Sequence, residues 1–174
     1  MTTTITGATG IDNIQAATGA VLQVVSTTKS DTQTISGTTF VDVMSATITP
    51  TSTSSKIMVT VTMAINCNER YSAAKLYRDS TQIGLGDTDG NRARVFLSAQ
   101  NNQNALNDHF VMHSSSSSYL DSPSTTSAVV YKIQAGNTYN SSSVVTYINS
   151  PVDGGNDFYI HRGISTITLQ EIAG

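Results

Sequence analysis

The first residues that could do chemistry lie in Asp87-Thr88-Asp89-Gly90-Asn91, where closely spaced oxygens meet a glycine turn, as at the start of a calcium loop. The glycine comes too early for the twelve-residue pattern, and Ser98 stands where the bidentate Glu belongs, so the stretch reads as a hairpin turn. His109 and His113 are four apart beside Asp108, a spacing that would pair imidazoles on a helix. HFVMH lacks the inserted Glu of a zinc protease and sits among β patterns, where the two rings are too far apart for joint ligation. His161 beside Arg162 reads as a surface or interface residue. No Gly-x-Ser-x-Gly elbow, phosphate loop or dinucleotide fingerprint occurs. Cys67 is the sole cysteine, which excludes an intrachain disulfide, and it reads as a small buried hydrophobe, with Met58 and Met63 as packing residues. The expectation is a non-enzymatic chain with no catalytic, cofactor-binding or metal-ligating residue.

One group of charges has a reading. Arg70, Lys75, Arg78, Arg92 and Arg94 lie close in sequence across a hairpin region and could form a basic rim for an acidic partner surface or an anionic glycan. The competing reading is a solvated sheet edge that uses charge against aggregation. The whole chain carries a formal charge of −3, so a nucleic-acid partner is not expected. Asn140-Ser-Ser is a formal glycosylation sequon.

The elements that must position these residues are strands. Thr and Val outnumber good helix formers, only 12% of the 174 residues are charged, and the chain is long enough for one self-sufficient domain. Lys56–Cys67 alternates Ile57, Val59, Val61, Met63 and Ile65 with a more polar face. Tyr119–Gln134 passes from turn chemistry, with Asp121 as its cap, into a strand whose Val129, Tyr131 and Ile133 share one face. Residues 20–27, 31–35, 40–49, 92–97, 110–113, 144–148, 158–161 and 164–172 read as further strands, and 73–86 as a hairpin closed at Asp79-Ser80-Thr81. Strand 20–27 is apolar on both faces, which places it between a sheet and another layer or subunit. Ser114–Ser118 reads as a flexible low-complexity run and 100–108 as an amide-rich loop. About ten strands, long ones alternating with irregular loops, predict an all-β, jelly-roll-like antiparallel β-sandwich over residues 20–174.

Residues 1–19 stand apart as a Thr/Gly/Ala-rich arm whose Ile5, Ile11 and Ile14 are the available anchors for docking on a neighbouring subunit, the competing reading being that the arm lies back on its own domain. The N-terminus lacks the pattern of a signal peptide, and no apolar run approaches the ~20 residues of a membrane span, so neither secretion nor membrane insertion is expected.

GAVLQVVS (19–26), SATITPTSTSSKIMVTV (45–61), SYLDSPSTTSAVVYKIQA (118–135) and STITLQEIAG (165–174) together resemble a β-sandwich family of tailed-bacteriophage virion structural proteins, especially of marine phages and cyanophages. Its members are variously labelled tail-fibre, head-fibre or structural proteins. MTTTITGATGIDNIQ resembles short N-terminal segments of phage structural proteins. The likeness covers most of the chain and is weakest over 66–113. It implies a jelly roll displayed on a virion assembled in the host cytoplasm, a homotrimer that contacts other virion proteins such as the capsid protein. An arm of about 19 residues leaves little room for a stem. The expectation is therefore a capsid-surface decoration or head-appendage protein. The alternative is a tail-fibre or spike tip binding a host surface glycan or receptor.

Overall fold

The computed structural model describes residues 16–69, 72–98, 108–139, 141–158 and 160–174. Ile5, Ile11, Ile14, Arg70, Asn140 and most of the 100–108 loop lie outside the described residues. Among the described residues, eleven strands form two antiparallel sheets: β1 (Val21–Lys29), β2 (Gln33–Ser36), β3 (Val41–Ile48), β4 (Lys56–Cys67), β5 (Ser72–Arg78), β6 (Thr81–Ile83), β7 (Leu97–Ser98), β8 (Ser114–Asp121), β9 (Val129–Asn137), β10 (Val145–Ile148) and β11 (Ser165–Ile172).

Three pairs of these strands lie end to end, which reduces eleven segments to eight positions. Along one edge of β4, Ile65–Cys67 pairs with β10 while Lys56–Thr62 pairs with β11. On the next row, β2 pairs with β10 and β1 with β11. In the other sheet, β6 lies against Leu76–Arg78 and β7 against Ala73–Ala74 on the same edge of β5. With each pair counted once, the two sheets have chain orders 1-8-3-6 and 2-7-4-5. This is the double Greek key of a jelly-roll β-sandwich, as the strand spacing predicts.

The inner faces follow the period-two pattern. Ile57, Val59, Val61, Met63 and Ile65 of β4 and Ile167 and Leu169 of β11 meet Val129, Tyr131 and Ile133 of β9, with Met44, Ala46, Ile48 and Leu76 completing the core. Met63 is core, whereas Met58 is only half-buried on the outer face of β4.

The run Ser114–Ser118 is ordered into β8, not a flexible tract. It pairs with β4 over the full register Ala64↔Ser114 to Ile57↔Asp121, because the neighbouring strand supplies the backbone partners that serine side chains do not. Residues 108–110 form a 3-10 turn where the sequence predicts a strand to begin, and 111–113 are irregular. Of the predicted strand 92–97 only Leu97 pairs, and of 158–161 the described residues do not pair. Phe96 and Leu97 of the 92–97 run reach the core, whereas Val111 is 46% and Phe158 97% exposed.

Two of the three breaks between collinear strands, β1/β2 and β10/β11, are held by one residue. Asn149 is fully buried with a left-handed φ of 59°, a conformation that Asn tolerates better than most residues. Its Nδ2 donates to the Lys29 and Asp31 carbonyls at 2.8 and 2.9 Å, beside the β1–β2 break. Its Oδ1 accepts from Ser165 Oγ at 2.7 Å, and its backbone N–H reaches the Ala64 carbonyl at 2.8 Å. Both interruptions are thereby closed on β4.

Candidate interaction surface

Two of the polar side chains singled out in the sequence, Asp121 and Arg78, are turned to internal use. Asp121 is not a turn cap: it ends β8, is 5% exposed, and receives Arg78 Nη1 at 2.9 and 3.0 Å and Tyr131 Oη–H at 2.7 Å. Since β8 belongs to one sheet and β5 and β9 to the other, this cluster ties the layers together. Burial pushes the Tyr131 hydroxyl above its usual range, and the Asp121 carboxylate adds to the rise. Arg78 is therefore spent inside the molecule, with its side chain about one-third exposed.

Glu171 is fully buried between β1 and the loop before β4. Gln23 Nε2 donates to one oxygen at 2.6 Å, and Thr51 donates from both its backbone N–H and its hydroxyl to the other at 2.7 Å. Burial alone pushes this carboxyl up, but the donors outweigh it and hold the pKa at about 2. Cys67 is buried at the end of β4 with its thiol directed to the Glu69 carbonyl.

In the Asp87–Asn91 loop, Gly90 takes a left-handed φ of 53° and the Asp89 carboxylate is taken by Arg92. His109 lies in the 3-10 turn and His113 immediately before β8, a geometry without helical i,i+4 stacking. Among the described residues no three His, Cys, Asp or Glu side chains converge at metal-binding range. His161 is exposed.

Two outward faces remain. On the first sheet, hydroxyls cross four strands in register. Ser118, Thr60, Thr168 and Ser26 make one row and Ser116, Thr62, Thr166 and Thr28 the next, with Thr60···Ser118 and Thr62···Ser116 at 3.1 Å and Ser26···Thr168 at 3.0 Å. Toward one end this face turns apolar in the row Leu120, Met58, Gln170, Val24. Val24 is 56% and Val21 52% exposed on this face, whereas Val25 on the other face of β1 packs against the core, so among the described residues one face of the strand that the sequence places against another layer is open. β1 is also the edge of its sheet, and the chain enters it from Gly19 and Ala20, which are bonded to Ala173.

On the second sheet, Asp42 accepts from Gln134 Nε2 at 2.7 Å and from Lys132 Nζ at 3.2 Å. Beyond Gln134 lies Lys75, its register partner on β5. Its ammonium sits 4.0 Å from the Phe40 ring centroid. Phe40 lies over β9 at Gly136, where a Cβ would fall 3.0 Å from Phe40 Cα, so a larger residue would have to push the Phe40 backbone back by a few tenths of an ångström. Arg94 lines the same groove, its Nε–H held on the Gly86 carbonyl at 2.6 Å. Of the basic residues grouped by sequence, the fold brings Lys75 and Arg94 together and directs Arg78 and Arg92 elsewhere. Phe40 escaped the sequence reading because it lies more than thirty residues from Lys75, and only strand pairing joins them.

No protein-family model matches the chain, and no curated protein matches it. Among solved structures it is similar to three of infectious bursal disease virus: the Gt strain (TM-score 0.42, 13% identity, 97% of this chain and 43% of that chain), the VP2 subviral particle (0.39, 13%, 97% and 42%) and the Gx strain (0.38, 15%, 97% and 42%). The chain spans about two-fifths of the length of these structures.

Proposed function

We propose that this chain is a non-enzymatic virion structural protein that decorates a capsid surface or forms a short head appendage, acting as a homotrimer clamped to neighbouring virion subunits. The observation that carries this reading is the start of β1. An edge strand with exposed Val21, Leu22 and Val24 begins where the N-terminal arm joins the sandwich, so an apolar edge with no strand beside it among the described residues lies next to the arm. Such an edge is normally blunted by charge or covered. Here coverage by another subunit would bury apolar area and pair the strand edge. The likeness of the four segments to phage structural proteins and the eight-position jelly roll support the same reading, the latter by analogy of fold only.

In this reading residues 1–19 dock on the neighbour through Ile5, Ile11 and Ile14, and the sandwich of 20–174 presents its loops outward. The test is light-scattering mass in solution for the full chain, for a deletion of residues 1–18, and for the triple Ala variant of the three isoleucines, with co-sedimentation on capsids as the second readout. The full chain is expected to be trimeric and to co-sediment, and both variants to lose mass or particle binding. Unchanged mass and unchanged co-sedimentation in both variants would refute the clamp.

A further inference from the structure

The groove beside Lys75 has a volume of about 320 Å³ and is lined by Thr38, Phe40, Lys75, Arg94, Asn137 and Thr138, without a carboxylate among its lining residues. Lys75 and Arg94 make no ion pair with an acidic side chain among the described residues, although the chain as a whole is acidic. Two cations at one groove repel each other, and an oxyanion between them would relieve that repulsion.

Both are held in place before any ligand arrives. The Phe40 ring supports the Lys75 ammonium. Arg94 has its Nε–H on Gly86 and its own carbonyl held by Gln82 Nε2 at 3.2 Å, which leaves the terminal guanidinium nitrogens to fork a carboxylate. Beside them sits a neutral acceptor. Asn137 is 4% exposed; its Nδ2 donates to the Gly37 and Ser141 carbonyls, while its Oδ1 accepts no hydrogen bond from the described residues. A buried acceptor without a donor is costly, and because almost none of this oxygen's surface is open to solvent, a ligand hydroxyl would pair with it by displacing the groove side chains that lie over it. Thr38 adds an exposed hydroxyl at the rim.

We infer that this groove binds an acidic saccharide, its carboxylate gripped by Lys75 and Arg94 and its ring hydroxyls by Asn137 and Thr38. The volume lies at the small end of ligand sites, which fits one acidic sugar unit of a longer chain. This inference rests on the groove alone and is independent of where on a particle the protein sits.

The test is titration of the full chain by amide NMR with trigalacturonate, with neutral galactotriose as control and with sulfate and inorganic phosphate as bare anions. Trigalacturonate is expected to bind at least about tenfold more tightly than galactotriose, a difference of about 1.4 kcal/mol, and to weaken as salt rises. Its shifts should map to residues 38–40, 75, 94 and 137. Lys75→Met, which keeps the stem over Phe40, and Arg94→Gln should each weaken it about fivefold or more. Arg92→Gln, whose partner is Asp89 outside the groove, should leave binding unchanged and so controls for loss of charge alone. Equal affinity for the neutral trisaccharide, equal affinity for a bare anion, undiminished binding in the folded Lys75→Met/Arg94→Gln double variant, or no binding at low millimolar concentration would each overturn the assignment.

Discussion

Replacing Glu171 with glutamine keeps the shape of a fully buried side chain and removes only its charge. In the native fold three donors converge on the carboxylate: Gln23 Nε2, the Thr51 N–H and the Thr51 hydroxyl. An amide offers one acceptor oxygen and two N–H donors, so one of its ends must face a donor. Gln23 cannot turn over without losing its bond to the Thr49 carbonyl at 2.7 Å. The Glu171 pKa falls from 4.5 when free to about 2 in the fold. At 1.36 kcal/mol per unit this depression corresponds to about 3 kcal/mol. Because the folded value is the lower one, the stabilisation is fully present above pH 4.5 and is lost as the pH falls toward 2. Urea denaturation between pH 7 and 2, followed by far-UV circular dichroism and tyrosine emission in a chain with no Trp, compares wild type with Glu171→Gln. The variant should be about 3 kcal/mol less stable at pH 7, roughly 6–12 °C in Tm, with the gap closing as the wild type is acidified. Asp31 and Asp42 also have lowered values, through hydrogen bonds from Lys29 and Gln134 respectively, but they titrate in both proteins and cancel in the difference. A gap that stays constant from pH 7 to 2, or no gap at all, would refute the assignment of these donors to a buried carboxylate.

Tyr131→Phe removes the hydroxyl that donates to Asp121 and should cost about 1.5–3 kcal/mol at neutral pH by thermal or urea unfolding. Since the folded Tyr131 value is raised, the wild type should also lose stability as the pH climbs above 10, and the gap to the Phe variant should narrow there. Asn149→Ala removes three hydrogen bonds at the junction of β1, β2, β10 and β11 and places a less tolerant residue at φ 59°. A loss of about 3 kcal/mol or more is expected, with hydrogen-exchange protection falling first at Ala64 and in residues 29–36 and 165–167. Asn149→Gly, which relieves the backbone, should recover only a minor part.

Much of the architecture was legible because it is local. The alternation of β4 and β9 follows from period two, and the observed β4 span coincides with the predicted one. The Asp79-Ser80 connection carries turn chemistry, with Asp79 at φ 52° and its carboxylate on the Val130 N–H at 3.0 Å. The predicted strands at 110–113 and 158–161 failed, and β8 was misread, for one reason. Composition assigns a short apolar run to a strand and a serine run to a loop, but only the neighbouring strand decides which of them finds backbone partners.

What the sequence by itself determined is the class of the fold, from hydrophobic period and turn residues set within a few positions of one another. Only the tertiary structure decided which polar residues are interior. Asp121 and Arg78 are 43 residues apart, Gln23 and Glu171 148 apart, and Asn149 and Lys29 120 apart. No window of sequence contains such pairs. The same distance argument separates the basic residues. Arg78 is drawn inward by an acid from the opposite sheet, Arg92 is held by its own loop, and Lys75 and Arg94 are left facing one groove. A charge in a sequence is a candidate for binding, and the strand order settles whether another charge has already claimed it.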